Sequence, residues 1–247
     1  MFTSKKFLID RFDVNPTIAA FFVDRKVPVD NRYWHNRLLY VSGGTGFLFI
    51  PLYIDLQFRC GVPLIILLDE AYIKLTELIL HHAAIHEAEE ADMEAHIAFC
   101  QAAVQANMKH PKLFEDLTAY YQGQQTKHKY LGTGIRALNR ADTLLFALCT
   151  LQADEQTILQ IIECWYALVP SFLLIDDIVD LEADKEMKQE NSVLEFGAGA
   201  KGINAAINFL NQNITILGRY NKNIQMLFAN MLNKKLVTTY IKSILDS

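Results

Sequence analysis

Long stretches of the chain repeat apolar residues at the spacing of an α-helix. The longest pattern covers residues 69–110, is rich in Ala, Leu, Ile, Glu and His, and contains no Pro or Gly, which predicts one long helix. Residues 47–68 are apolar nearly all round, as in a helix surrounded by other helices. Further helices are predicted over residues 16–22, 136–151, 154–175 with an interruption or kink at Pro170, 203–217 and 221–245.

Non-helical patterns are few. Residues 111–128 are polar and suit a helix followed by a loop, and residues 185–202 predict a mobile loop because Gly197, Gly199 and Gly202 lie in it. No segment alternates apolar and polar residues as a half-buried strand does, and no repeat has a fixed period. The prediction is therefore an all-α fold of about eight to ten helices, forming one domain over residues 1–247.

Composition and charge exclude some classes of function. The chain has 247 residues, 51% hydrophobic content and a formal net charge of -5, which argues against binding to nucleic acid. Charged residues interrupt positions 1–13, so no secretory signal is expected and the predicted location is the cytoplasm. Residues 43–68 resemble lipid-facing sequence most, but Asp55, Gln57 and Arg59 interrupt them, so no transmembrane span is expected.

A cluster of carboxylates follows the apolar run 165–175. At about 100° per residue, Asp176, Asp177, Asp180 and Asp184 fall within an arc of roughly 100° on one helix face. Like charges at this spacing repel one another and need a counter-charge. A hard divalent cation such as Mg²⁺, which prefers oxygen ligands, is the simplest candidate.

A second acidic face is predicted on the long helix. Glu87, Glu90 and Glu94 share an arc of about 60°, with His86 beside it. These carboxylates are candidate metal ligands, with His86 as a ligand or as an orienting partner. The alternative is a solvated acidic face with histidines packed along its flank.

Four other kinds of site lack their sequence signature. The four cysteines (Cys60, Cys100, Cys149 and Cys164) show no paired short spacing, so buried reduced thiols are expected rather than a zinc site or a redox pair. No His has a Glu three positions before it, which argues against a carboxylate-bridged di-iron bundle. No Gly-x-Ser-x-Gly nucleophile elbow occurs.

The run from Phe172 to Asp180, Phe-Leu-Leu-Ile-Asp-Asp-Ile-Val-Asp, resembles the second aspartate-rich motif of trans-prenyl diphosphate synthases and of class I isoprenoid synthases in general. In that family a lysine follows some residues later, and Lys185 or Lys188 is its counterpart here. Upstream, residues 77–79 and 85–87 have the spacing of the segment that leads into the first aspartate motif. At that motif this chain has Glu87-Ala88-Glu89-Glu90-Ala91 instead of Asp-Asp-x-x-Asp.

The resemblance implies a helical fold around a central apolar pocket and a prenyl diphosphate substrate bound through Mg²⁺. The altered first motif favours a terpene cyclase or a head-to-head condensing enzyme over a chain-elongating synthase, and family members often pair as homodimers. Asp176, Asp177 and Asp180 would be the catalytic residues. The implied metal ligands are Asp176, Asp177, Asp180, Asp184, Glu87, Glu90 and Glu94. The implied substrate contacts are Arg136, Arg140, Lys185, Lys188 and Phe172.

Two alternatives to this enzyme remain open. One is a catalytically weak homologue that binds prenyl diphosphate or regulates another subunit, which the altered first motif would explain. The other is an unrelated helical bundle whose acidic faces are only solvated. For Phe172, Trp165 and Tyr166, core packing is the alternative to a contact with substrate.

Overall fold

The structure, a computed structural model, describes residues 5–26, 49–87, 92–124 and 130–246. The regular secondary structure of these residues is helical, which confirms the all-α prediction, and the helices are more numerous than expected. The α-helices are α1 (Lys5–Phe12), α2 (Pro16–Val23), α3 (Phe49–Arg59), α4 (Leu64–Leu67), α5 (Glu70–Glu87), α6 (Met93–Gln105), α7 (Pro111–Tyr121), α8 (Glu155–Met187), α9 (Ser192–Glu195), α10 (Gly199–Tyr220), α11 (Lys222–Leu236) and α12 (Thr239–Leu245). Two 3-10 helices, η1 (Arg136–Asn139) and η2 (Asp142–Thr150), precede α8.

Capping residues explain where several helices begin. Asn15 caps α2 by accepting a hydrogen bond from the Thr17 amide at 2.9 Å, and this helix lies where residues 16–22 predicted one. The single helix predicted over 69–110 is wrong, because Asp92 starts a new helix. Its carboxylate accepts a hydrogen bond from the Ala95 amide at 2.6 Å, which favours a helix start at Met93.

Helix α8 is the longest of the described helices and lies at the centre of their packing. It continues through Pro170 without an interruption and extends past Ile175 to Met187, so the predicted end is wrong, while a kink at Pro170 stays a prediction. Helices α3, α10 and α11 pack around it, and the indole of Trp165 on α8 is completely buried. The four aspartates therefore lie on a continuous helix, which is the condition for sharing one face.

Segment 136–151, predicted as an α-helix, forms 3-10 turns instead. Eight of the nine residues of η2 are buried, and α5, α6 and α7 all pack against it. Because 3-10 runs longer than three or four residues are uncommon, helical spacing in the sequence favoured an α-helix here, and the enclosing helices stabilise the 3-10 backbone instead. The predicted loop 185–202 is also partly helical, since it includes the end of α8, all of α9 and the start of α10.

The end of α1, helix α3 and the turn between α10 and α11 meet at a cluster of polar contacts that we call the Arg59 junction. The Arg59 guanidinium pairs with the Asp55 carboxylate at 2.6 Å and with Asp13 at 3.1 Å, and it donates to the carbonyl of Tyr220 at 3.2 Å. Nearby, the Asn221 side-chain amide donates to the Phe12 carbonyl at 2.7 Å. These contacts join α1 and α3 to the turn between α10 and α11.

Within the part of the chain that the structure describes, α8 is the one helix long and apolar enough to cross a bilayer. Its most apolar window is 67% buried against the other helices. Of segment 43–68, the most lipid-like stretch by sequence, the described residues 49–68 form α3 and α4, and Asp55 and Gln57 on α3 are buried. The expectation of no transmembrane span stays a prediction.

Candidate functional site

The carboxylates of α8 differ in their exposure to solvent. Asp176 and Asp180 lie one helical turn apart and are exposed, whereas Asp184, one turn further along, is half-buried. Asp177 is only 8% exposed. Partial burial, followed by the negative charges of Asp180 and Asp177, raises the pKa of Asp176 above its usual value, and Arg140 opposes this shift. The exposed pair is therefore an electrostatically crowded site that a cation would relieve.

Helix α9 holds the two less exposed carboxylates in place. The Asp177 carboxylate accepts hydrogen bonds from the Ser192 amide at 2.9 Å and from the Ser192 hydroxyl. The Asn191 side-chain amide donates to the Asp177 carbonyl at 2.7 Å and to the Asp184 carboxylate at 2.8 Å. Asn191 and Ser192 are both buried, so these bonds fix the carboxylate end of α8 against α9. The sequence signal was an Asn-Ser pair at a helix start, which by itself indicates only a cap.

Replacing Ser192 by alanine should lower the free energy of unfolding by about 2 kcal/mol, because a hydrogen bond to a charged group contributes about 1.5–3 kcal/mol. Urea denaturation would measure the change. The matched control is Ser243→Ala, which removes a hydroxyl that donates to the Tyr240 carbonyl on the exposed surface of α12. That substitution should change stability by less than about 0.5 kcal/mol. Equal losses for the two variants would contradict an anchoring role for Ser192.

Two predicted substrate-contact arginines lie on the segment that packs beside this end of α8. A terminal guanidinium nitrogen of Arg140 lies 3.9 Å from the Asp177 carboxylate, and its side chain is 43% exposed. The amides of Arg136 and Ala137 donate to the carboxylate of Glu195 on α9, at 2.7 and 2.9 Å. Glu195 thus fastens η1 to α9 and places Arg140 next to the aspartates. The structure brings the Arg140 side chain to the aspartates, whereas the observed contact of Arg136 is its backbone bond to Glu195.

The other predicted substrate contacts are placed less closely. Lys185 is exposed, and on an ideal helix it lies about 180° around the axis from Asp176, nine positions earlier. Lys188 ends α8 in a left-handed conformation with φ of 55° and is exposed. The ring of Phe172 packs edge to face on Phe228 of α11, with centroids 4.8 Å apart, so packing is its observed contact.

The second acidic face lies largely outside the described residues. The side chain of Glu87 and all of Glu90 are not described, and Glu94 is exposed in the first turn of α6. Among the described residues, no three His, Cys, Asp or Glu side chains are placed to hold one metal ion. Magnesium commonly uses only one or two carboxylates, with substrate phosphates completing its coordination, and the exposed pair on α8 fits that smaller requirement. The two-sided metal site stays a prediction.

A buried polar cluster that the sequence did not predict surrounds Asp142. This carboxylate is 1% exposed and accepts hydrogen bonds from the Trp165 indole at 2.9 Å, the Tyr166 hydroxyl at 2.9 Å and the Tyr120 hydroxyl at 3.1 Å. Burial raises the pKa of Asp142 to about 6, and the three hydrogen bonds oppose that rise. The available signal was a carboxylate that opens the apolar run 142–149. Its three donors come from α7 and α8, which only the fold brings together.

Three histidines form a stack between α5 and α6. The rings of His82 and His86 lie parallel to that of His96, with centroids 5.2 and 5.8 Å away, and the facing nitrogens of His82 and His96 are 3.0 Å apart. The other ring nitrogen of His96 lies 3.0 Å from the Thr143 hydroxyl. Burial lowers the pKa of His96 to about 4, so the ring is neutral at pH 7. Packing between these rings is therefore one reason why histidines are frequent in α5 and α6.

Two cavities lie away from the exposed aspartates. A groove of about 1300 Å³ runs between α5, the end of α6 and the residues after α2, where Arg25, Lys74 and Leu78 are among its lining side chains. A cleft of about 560 Å³ lies between α8 and α10, lined partly by Tyr166, Leu159 and Phe209. Neither is lined by the aspartates of α8, so the central apolar pocket at their side stays a prediction.

Comparison with known proteins gave no relative. No protein-family model, no curated protein and no solved structure matches the chain. The resemblance to class I isoprenoid synthases therefore depends on the residues from Phe172 to Asp180 and on their surroundings in the fold.

Proposed function

We propose that the protein is a magnesium-dependent class I isoprenoid enzyme that ionises an allylic prenyl diphosphate, as a terpene cyclase or a prenyl-condensing enzyme. The observation that carries this proposal is the arrangement at the end of α8. Asp176 and Asp180 lie exposed on one face of the helix, while α9 holds Asp177 and Asp184 beside them. A buried apolar helix that ends in such a face suits an apolar substrate with an anionic head.

The residues of the site would have different roles. Asp176 and Asp180 would hold the magnesium, which supplies positive charge to the departing diphosphate. Asp177 and Asp184 would position that end of α8, because their oxygens are engaged by Ser192 and Asn191. The half-exposed guanidinium of Arg140 lies within reach of an anion bound at the same face, and a planar guanidinium suits diphosphate oxygens.

Binding of magnesium with inorganic pyrophosphate should stabilise the protein. At a ligand concentration about 100 times the dissociation constant, the expected stabilisation is about 2.7 kcal/mol, which raises the Tm of a domain of this size by about 5–10 °C. Thermal unfolding with magnesium alone, pyrophosphate alone and both together measures this. Joint replacement of Asp176 and Asp180 by alanine should abolish the rise.

The chain offers a matched control for that variant on the same helix. Glu182 and Glu186 are exposed, have the same four-residue spacing and lie outside the arc of the aspartates, about 120° and 80° around the helix axis from Asp176. Their joint replacement by alanine removes the same charge and should leave the rise unchanged. A rise lost equally in both double variants, or absent from the unsubstituted protein, would leave the solvated bundle as the explanation of the acidic face.

Turnover separates the enzyme from a silent binding subunit. Incubation with geranyl, farnesyl and geranylgeranyl diphosphates in the presence of magnesium should release pyrophosphate. The double replacement of Asp176 and Asp180 should stop that release, and the Glu182 and Glu186 variant should retain it. Magnesium-dependent binding without release from any of the three substrates would favour the binding subunit.

A further inference from the structure

Two of the four cysteines approach each other where α3 meets α8. Cys60 directly follows the last residue of α3, and Cys164 lies on α8, yet their sulfurs are 3.8 Å apart although 104 positions separate them in the sequence. Cys60 is half-buried, whereas Cys164 is completely buried. Cys60 is therefore the more accessible residue of the pair, and Cys164 is enclosed by the fold.

Contacts of the Arg59 junction keep Cys60 and Cys164 close to each other. Arg59, the neighbour of Cys60, binds Asp55 and the Tyr220 carbonyl, and the Tyr220 hydroxyl donates to Glu163, the neighbour of Cys164, at 3.3 Å. Both cysteines are therefore next to residues that are tied to the end of α10. The contacts limit how far the two sulfurs can separate in the folded protein.

We propose that Cys60 and Cys164 form a reversible intramolecular disulfide when the folded protein meets an oxidised low-molecular-weight thiol such as glutathione disulfide. This inference is independent of the proposed function and does not involve the aspartates of α8. The sulfur separation would shorten from 3.8 Å to about 2.05 Å. A shift of about 1 Å at each sulfur accomplishes that, and Gly61, with φ of 102°, directly follows Cys60 in a turn that can adjust.

The reaction balances with glutathione disulfide as the oxidant. The Cys60 thiolate attacks one sulfur of glutathione disulfide, the bond between its sulfurs breaks, and one glutathione thiolate leaves. The Cys164 thiolate then attacks the Cys60 sulfur and expels the second glutathione thiolate. Two protein thiols lose two electrons and two protons, and the products are one protein disulfide and two molecules of glutathione.

The second step should be the slower one. The hydrogen bond to Cys60, together with burial, raises the pKa of the Cys164 thiol, so little of its reactive thiolate is present at neutral pH. Closure of the disulfide should therefore accelerate as pH rises. Cys100 and Cys149 are buried as well, and burial raises the pKa of each of these thiols to about 12, which makes them suitable controls.

The test uses the complete, reduced protein incubated with glutathione disulfide under native conditions. Mass spectrometry should show a product lighter by two hydrogens, and digestion should yield a reductant-sensitive peptide pair that links Cys60 to Cys164. Because the bond closes a loop of 104 residues, the oxidised protein should melt higher, by about 10 °C. Cys60→Ser should abolish the linked pair, and joint replacement of Cys100 and Cys149 by serine should leave it.

Several results would overturn the proposal. One is a mixed disulfide of Cys60 with glutathione that persists without resolving to the linked pair as pH is raised. Another is a linked pair that appears only in urea, where the chain is unfolded and thiols pair by chance. A native protein that retains four free thiols throughout would also overturn it.

Discussion

Replacing Asp142 by alanine should lower the free energy of unfolding by about 4 kcal/mol and the Tm by about 10 °C. The substitution leaves the indole of Trp165 and the hydroxyls of Tyr166 and Tyr120 without their acceptor in the core. Each buried donor left unsatisfied costs about 1–3 kcal/mol, and a domain of this size loses about 2–4 °C of Tm per kcal/mol. Urea and thermal unfolding measure both quantities.

Asp154→Ala is the matched control for this prediction. Asp154 accepts a hydrogen bond from the Thr157 amide at 2.8 Å as the exposed cap of α8, and loss of such a cap costs about 1 kcal/mol. A loss at Asp142 no greater than the loss at Asp154 would show that the buried cluster adds little. If Asp142→Ala does not fold at all, Asp142→Asn serves as the second variant, since it keeps the shape and one acceptor oxygen.

The asparagine variant also tests the ionisation of Asp142. The pKa of this carboxyl is about 6 in the folded protein and about 3.8 as the ordinary value, so the folded state holds the proton more tightly. The contribution of this group to the free energy of unfolding is therefore fully present below about pH 4. About 3 kcal/mol of that contribution is lost as pH rises through about 6. Asp142→Asn cannot titrate, so its stability relative to the unsubstituted protein should improve between pH 4 and pH 7.

Arg59→Ala should cost about 3–5 kcal/mol, because it leaves the carboxylate of Asp55 buried without its charge partner. Asp55 is completely buried, and apart from Arg59 it accepts a hydrogen bond from the Asn15 amide at 2.7 Å. The loss of stability can be measured in urea. Hydrogen exchange should also become faster in α1, which the Arg59 junction ties to the rest of the fold, and in α2, whose cap residue Asn15 donates to Asp55.

Arg219→Ala provides the comparison for Arg59. Arg219 lies near the end of α10, as Arg59 lies at the end of α3, and it pairs with Glu163 at 3.1 Å, but its side chain is 60% exposed. An exposed ion pair contributes at most about 1 kcal/mol, so this variant should be nearly as stable as the unsubstituted protein. If the two arginine variants lose similar stability, the Arg59 junction does not depend on the buried charge.

Of the four aspartates on α8, Asp176 and Asp180 matter most for the proposed function, because Ser192 and Asn191 bond to the other two. Sequence spacing placed four aspartates on one face of a helix, and all four lie on α8. Only the structure separates Asp176 and Asp180, which face solvent, from Asp177 and Asp184, which are bonded to Ser192 and Asn191. The replacement of Asp176 and Asp180 together is therefore the sharper test of metal binding, whereas Asp177→Ala would combine metal effects with loss of the anchor.

Local signals determined the helical class of this protein and some of its helix boundaries. Apolar residues at helical spacing and the Asn15-Pro16 start are short-range features, and the structure places α2 where they indicated a helix. The same pattern continued across Asp92 without a break, so the sequence could not show that α5 and α6 are separate helices. Composition in that region favours a helix on either side, and the cap at Asp92 decides the new start.

Contacts between distant residues were decided by the tertiary structure alone. These contacts join residues from 22 to 161 positions apart in the sequence. They are the hydrogen bonds from two tyrosine hydroxyls to Asp142, the approach of Cys60 to Cys164, and the bonds from Arg59 to Asp13 and Tyr220. Periodicity reports which face of a helix is apolar, but it carries no information about which other helix covers that face. The sequence thus determined an all-α chain with an aspartate face, and packing determined which carboxylates remain exposed, which thiols meet and which buried charge is paired.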